Sequence, residues 1–94
     1  MLNEQVKNLS LYHYQACPYC GITREAIRAL DLGIEQRDTL KEPHYRQELI
    51  QGGGKPQVPC LKIEDENGRS RWLYESREII QYLNVYAQTL KASA

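Results

Sequence analysis

Cys17-Pro18-Tyr19-Cys20 is the part of this chain whose residue types and spacing are best suited to chemistry. Two thiols three residues apart can attack, hold and release another sulfur. A thiol is nucleophilic only as the thiolate, and the start of a helix favours that form through free backbone N–H groups and the positive end of the macrodipole. A helix is expected directly after the motif, because Ile22, Ala26, Ile27 and Leu30 recur at helical spacing. Pro18 suits its first turn, where a missing N–H costs nothing. Cys17 lies closest to the free amides and is the candidate attacking thiol. Cys20, one turn on, is the candidate to resolve a mixed disulfide formed on Cys17.

The competing reading is a pair of zinc ligands. Two cysteines supply half of a tetrahedral site, and the chain has no second Cys-x-x-Cys and no His-x-x-x-His. Cys60 and His13 are the remaining candidates to complete one. The strand–motif–helix context favours redox chemistry, and no metal is expected.

The motif needs elements to hold it. Leu9–Tyr14 alternates Leu9, Leu11 and His13 against Ser10, Tyr12 and Tyr14, and reads as a first strand. The helix after the motif is expected to end at Gly33, a residue that accepts the left-handed conformation. Residues 34–39 read as a second strand and Pro43–Ile50 as a second helix, ended by Gln51-Gly52-Gly53-Gly54. Val58–Ile63 and Ser70–Tyr74 flank Asp65-Glu66-Asn67-Gly68 and form an expected hairpin. Ser76 is placed to cap a last helix with the stripe Ile79, Leu83, Tyr86 and Leu90. The order βαβ then ββα describes an α/β thioredoxin fold: a four-stranded mixed sheet whose first pair is parallel, with three main helices.

With 94 residues there is room for one domain. Residues 1–94 are read as a single unit, with 1–8 as a polar N-terminal extension and 87–94 as a tail free to fray. Basic and acidic residues number 12 each, so no net field favours nucleic acid or acidic lipid. No apolar run is long enough to span a bilayer, and the polar N-terminus lacks the apolar stretch of a signal peptide. Three cysteines, two in one tight motif, do not form a secreted disulfide framework, so the expected compartment is the cytoplasm.

Val58-Pro59 opens the third strand after a glycine-rich turn. A proline is tolerated there. In this element order it would also lie beside the helix start carrying Cys17. A cis peptide would turn the Val58 N–H and C=O outward, ready to pair with a peptide-like thiol.

Three segments together resemble the glutaredoxins, in particular those related to the N-terminal domain of glutathione transferases. They are residues 14–20 (Tyr-Gln-Ala-Cys-Pro-Tyr-Cys), 54–59 (Gly-Lys-Pro-Gln-Val-Pro) and 74–83, which opens Tyr74-Glu75-Ser76. The resemblance spans most of Leu9 to Tyr86. It implies reduction of disulfides and deglutathionylation with glutathione as co-substrate. Disulfide-containing or glutathionylated proteins would be the partners. It also implies that the cysteine part of glutathione pairs with Val58 beside cis-Pro59 and that its γ-glutamyl carboxylate meets the helix start at Ser76. Glu75 would then face the γ-glutamyl ammonium, with Tyr19 and Gln57 bordering the site. Two other readings follow from the same likeness: an iron–sulfur carrier with a cluster held by Cys17 and glutathione, and a redox-silent transferase-like binding domain.

Other residues have simpler readings. Cys60 is expected to pack as a small hydrophobe in its strand. His13 is expected to be a packed residue. Gly52-Gly53-Gly54-Lys55 lacks the Ser or Thr of a phosphate loop and precedes a strand. Arg24 and Arg28, one turn apart, are expected to line a solvated face, with Arg24 the one able to add positive potential near Cys17.

Overall fold

The computed structural model describes residues 4–93. The elements run β1 (Glu4–His13), α1 (Pro18–Ala29), β2 (Leu32–Asp38), α2 (Pro43–Gly53), β3 (Cys60–Glu64), β4 (Ser70–Tyr74) and α3 (Ser76–Ser93). The sheet order is β2-β1-β3-β4. β1 and β2 are parallel, whereas β3 is antiparallel to both β1 and β4. This is the α/β thioredoxin-like architecture expected from the element order. Among the described residues no helix is long and apolar enough to cross a membrane.

Alternation along β1 sends its side chains into two cores. Val6, Leu9 and Leu11 join Ile27 of α1, Leu32 and Ile34 of β2, Leu61 and Ile63 of β3, and Ile79 and Leu83 of α3. Tyr12 faces the other way, with Leu49 of α2 and Cys60 of β3, beneath Tyr45, Val58, Trp72 and Tyr74. The sheet is thus sandwiched between α1 and α3 on one face and α2 on the other. Burial of each such leucine contributes roughly 2 kcal/mol relative to exposure.

A polar clasp also holds α2. Arg37 of β2 donates to the Tyr12 hydroxyl at 2.6 Å and to Glu48 of α2 at 3.1 Å, while Tyr12 donates to Glu48 at 2.8 Å. The Arg37 guanidinium lies over the rings of Tyr12 and Tyr45.

Several boundaries differ from those expected. Residues 4–8 belong to β1 rather than to an extension, since Glu4–Val6 pair with Leu32–Ile34. The register then shifts, so that Ser10 pairs with Glu35. Val6 and Leu9 are both buried but three residues apart, and the irregularity between them hides the strand from a period-two reading. Met1–Asn3 of the expected extension lie outside the described residues. α3 runs through 87–93, the stretch read as a tail free to fray; Ala87 is buried and Leu90 packs on the core. Ala94 lies outside the described residues.

Asp31, not Gly33, takes the left-handed conformation after α1 (φ 58°), and Gly33 sits inside β2. α2 reaches Gly53, with Gly54 (φ 96°) as its left-handed cap. β3 begins at Cys60, so Val58 and Pro59 precede it. The hairpin turn forms as expected around Gly68 (φ 81°), with Asp65 Oδ1 accepting from the backbone N–H of Asn67 and of Arg69.

Candidate active site

β1 ends where the antiparallel β3 begins, with Tyr12 paired to Cys60, and the motif follows β1 there. Cys17 is the cap of α1, with extended φ −76° and ψ 119°, and Pro18 occupies the first turn. The Cys17 Sγ accepts a hydrogen bond from the Cys20 backbone N–H at 3.4 Å. That contact occupies a helix-end donor with the sulfur itself, which is the geometry that stabilises negative charge there.

The two thiols differ in surroundings. Cys17 is 8% exposed and Cys20 is fully enclosed. Burial first, then its hydrogen bond to Cys17, push the Cys20 thiol up to about 12. Cys20 therefore stays protonated near neutral pH, and Cys17 is the accessible sulfur of the pair. Cys60 is also fully enclosed, and burial raises its thiol to about 12. Among the described residues, no cluster of three His, Cys, Asp or Glu joins Cys60 or His13 to the motif as a metal site.

The remaining site residues named from the sequence converge on one place. Tyr19, Gln57, Val58, Pro59, Glu75 and Ser76 line a single cleft of about 320 Å³. Tyr19 comes from the motif and is 62% exposed. The Val58–Pro59 peptide is cis, and Val58 makes no backbone hydrogen bond among the described residues. Across the cleft, Gln57 Nε2 donates to Glu75 Oε2 at 3.5 Å.

Glu75 has φ 74° and Ser76 is the first helical residue. The Glu75 carbonyl accepts the first intrahelical bond, from the Ile79 N–H at 3.0 Å. Ser76 is thus one position inside the helix rather than its cap, and the N–H groups of the first turn face the cleft end free of intrahelical partners.

Two features of the site make contacts that the sequence did not foretell. The Gly52–Gly53 pair seats the end of α2 against β4: a Cβ on Gly52 would lie 2.1 Å from the Trp72 ring, and one on Gly53 2.1 Å from the Tyr74 hydroxyl. That hydroxyl donates to the Lys55 carbonyl at 3.0 Å, fixing the segment that leads to Gln57. Arg24 is the second feature. Unlike Arg28, which pairs with Glu25 in solvent, Arg24 folds back over the strand-to-helix junction.

Comparison with known proteins bears on the same stretch. Residues 11–87 match the family model described as Glutathione S-transferase, N-terminal domain. The chain belongs to this family.

No curated protein matches this transferase-type domain. Among solved structures, it resembles maleylacetoacetate isomerase from Anaeromyxobacter dehalogenans 2CP-1, with 27% identity and a TM-score of 0.63 over 86% of this chain and 36% of that one. The same isomerase has been solved with GSH bound in its active site. An epsilon-class glutathione S-transferase from the housefly, Musca domestica, shares the fold at 22% identity and a TM-score of 0.65, over 84% of this chain and 35% of that one. A mutant of the thioredoxin-like protein BC3987 does so at 23% identity and a TM-score of 0.65, over 84% of this chain and 97% of that one. The transferase-type domain thus spans little more than a third of the isomerase and the housefly transferase.

Proposed function

We propose that this domain is a glutaredoxin-type thiol–disulfide oxidoreductase that uses glutathione to reduce disulfides and to remove glutathione from proteins. The observation that carries the reading is the convergence of Tyr19, Gln57, Val58, Pro59, Glu75 and Ser76 on one cleft at the motif. The family match supports it, as does the isomerase solved with GSH in its active site. A reducing compartment such as the cytoplasm suits three free thiols.

Glutathione would lie along the cleft with its cysteinyl peptide against the unpaired backbone of Val58 and its γ-glutamyl carboxylate at the first turn of α3. Glu75 would take the ammonium, and Gln57 holds Glu75 in place. The Cys17 thiolate attacks the glutathionyl sulfur of a mixed disulfide; a Cys17–glutathione disulfide forms and the protein thiolate leaves, taking up a proton. A second glutathione thiolate then attacks the bound glutathionyl sulfur, releasing oxidised glutathione and restoring Cys17. Cys20 offers the other route: it attacks Cys17, expels glutathione and leaves a Cys17–Cys20 disulfide. Its raised thiol makes that step slow until a proton acceptor is at hand, which favours the route through glutathione for mixed disulfides.

The test is steady-state reduction of a glutathione mixed disulfide, coupled to glutathione reductase. Cys17→Ser should lose turnover, while Cys20→Ser should keep deglutathionylation and lose reduction of substrates that need two thiols. A Cys20→Ser variant as inactive as Cys17→Ser would overturn this division of roles. Absence of turnover in folded wild type would overturn the oxidoreductase reading. The family match favours one alternative in that event, a redox-silent glutathione-binding domain, identified by calorimetric binding of glutathione without turnover.

A further inference from the structure

We infer that Arg24 is a positioning residue for Cys17, holding the strand-to-helix junction while placing an uncompensated positive charge behind the attacking thiol. The inference rests on Cys17 being the attacking thiol, as proposed above. Cys17, Cys20, Gly21 and Arg24 fall at i, i+3, i+4 and i+7, one stripe of α1 that faces back to the end of β1. From that stripe Arg24 reaches three acceptors in succession along the chain. Nη1 donates to His13 Nδ1 at 3.1 Å and to the Tyr14 carbonyl at 3.4 Å, and Nη2 donates to the Gln15 carbonyl at 3.4 Å. The Tyr14 carbonyl also accepts from the Cys17 N–H at 3.3 Å, so the guanidinium and the Cys17 backbone share one anchor. The guanidinium runs beside Gly21, where a Cβ would make ordinary contact with Arg24 Nη2 at 3.6 Å.

Every partner of Arg24 is neutral. Arginine only donates, so His13 must present an unprotonated Nδ1 and carry its proton on Nε2. No carboxylate pairs with Arg24 among the described residues, in contrast to Arg28 with Glu25 and Arg37 with Glu35 and Glu48. Its positive charge already acts on the motif, as one of the influences that favour ionisation of Cys20. A half-buried cation with no counter-charge is screened less than a surface one. The anion that can use it is a thiolate at the start of α1.

The test reads the reactivity of Cys17 by itself and needs neither glutathione nor turnover, so it stands even where the oxidoreductase reading fails. Iodoacetamide alkylation at neutral pH is followed by mass spectrometry at Cys17 for wild type, Arg24→Gln and Arg24→Lys, with thermal unfolding of each. Removing a nearby charge should slow Cys17 by about threefold or more in Arg24→Gln. Arg24→Lys, which restores charge but not the three-acceptor grip, should recover at least half of the loss. A purely structural arginine would lower the melting temperature and leave the rate of the folded protein unchanged. Wild-type reactivity in Arg24→Gln, or no recovery in Arg24→Lys, would overturn the inference. Should Arg24→Gln not fold, wild type alone decides. Its rate ratio for anionic iodoacetate over neutral iodoacetamide at Cys17 should exceed the ratio in urea and fall with added salt. Equal ratios would sink the proposal.

Discussion

Replacing Gly52 by alanine should destabilise the domain, although helix propensity alone says the opposite. Gly52 is the penultimate residue of α2, and Gly→Ala within a helix normally stabilises by up to about 1 kcal/mol. Here the added Cβ would sit 2.1 Å from Trp72 Cζ2, 2.6 Å from Cε2 and 2.9 Å from Cη2. Ordinary carbon contact needs about 3.6 Å, so the indole must move by about 1.5 Å. It has little room to do so, because its other neighbours are the fully buried Tyr12, 5.4 Å between centroids, and the Lys62 ammonium, 5.4 Å from the ring. Overpacking of this kind costs about 1–3 kcal/mol, and a clash this close lies toward the upper end, so the net loss is up to about 2 kcal/mol after the gain in propensity. For a domain of this size the melting temperature should fall, by up to about 15 °C. The assay is far-UV circular dichroism on heating, joined to the fluorescence of Trp72, which is the only tryptophan in the chain. Gly54→Ala is the control: nothing lies within 4 Å of its Cβ, but φ 96° strains it. It should lose about 1 kcal/mol without altering the tryptophan emission. A Gly52→Ala protein that melts at or above wild type with unchanged emission would refute the packing argument.

Two further outcomes are expected. Glu75→Gln keeps the size of the side chain but removes the charge proposed to meet the γ-glutamyl ammonium. KM for a glutathione mixed disulfide should rise about tenfold with kcat little changed, and an unaltered KM would remove Glu75 from the binding role. His13 should make the fold acid-sensitive. Burial first, then Arg24, lower its pKa from 6.5, with Lys41 acting in the same direction and Asp38 against it. The unfolded chain therefore binds the proton more readily, so this contribution to stability is complete above about pH 6.5 and is lost as pH falls toward the folded value. Between about pH 7 and about pH 5, wild type should lose more melting temperature than His13→Gln. Parallel curves for the two would contradict it.

How much of this was legible in the sequence depends on how local each cause is. Pro18 after Cys17, and Gly68 in the hairpin, speak through their own backbone preferences, and both elements form where expected. The resemblance joined Gln57, Val58 and Pro59 to Glu75 and Ser76 across the gap between them, and the cleft has all of them on its walls. What failed locally did so for identifiable reasons. Gly33 looked like a helix cap, but Asp31 adopts φ 58° two residues earlier, and aspartate tolerates that region better than most residues. Ile22 fitted the apolar stripe of α1 yet is 54% exposed, because Cys20, Thr23 and Ile27 form the buried face instead. Cys20 and Thr23 with Ile27, not Ile22, set the rotation of this helix.

The same rotation explains why Arg24 and Arg28 part company. Both are basic and one turn apart, so charge pattern alone treats them alike. Glu25 stands three residues before Arg28 and draws it into an exposed ion pair. Arg24 has no such neighbour, and it lies four residues beyond Cys20 on the face that the buried thiol turns toward the sheet. A side chain on that face must satisfy its donors where it is carried, and the carbonyls of Tyr14 and Gln15 are what it meets. Once a buried cysteine fixes which way a helix faces, the arginine one turn further along follows it inward, and the motif acquires its cation from helical geometry.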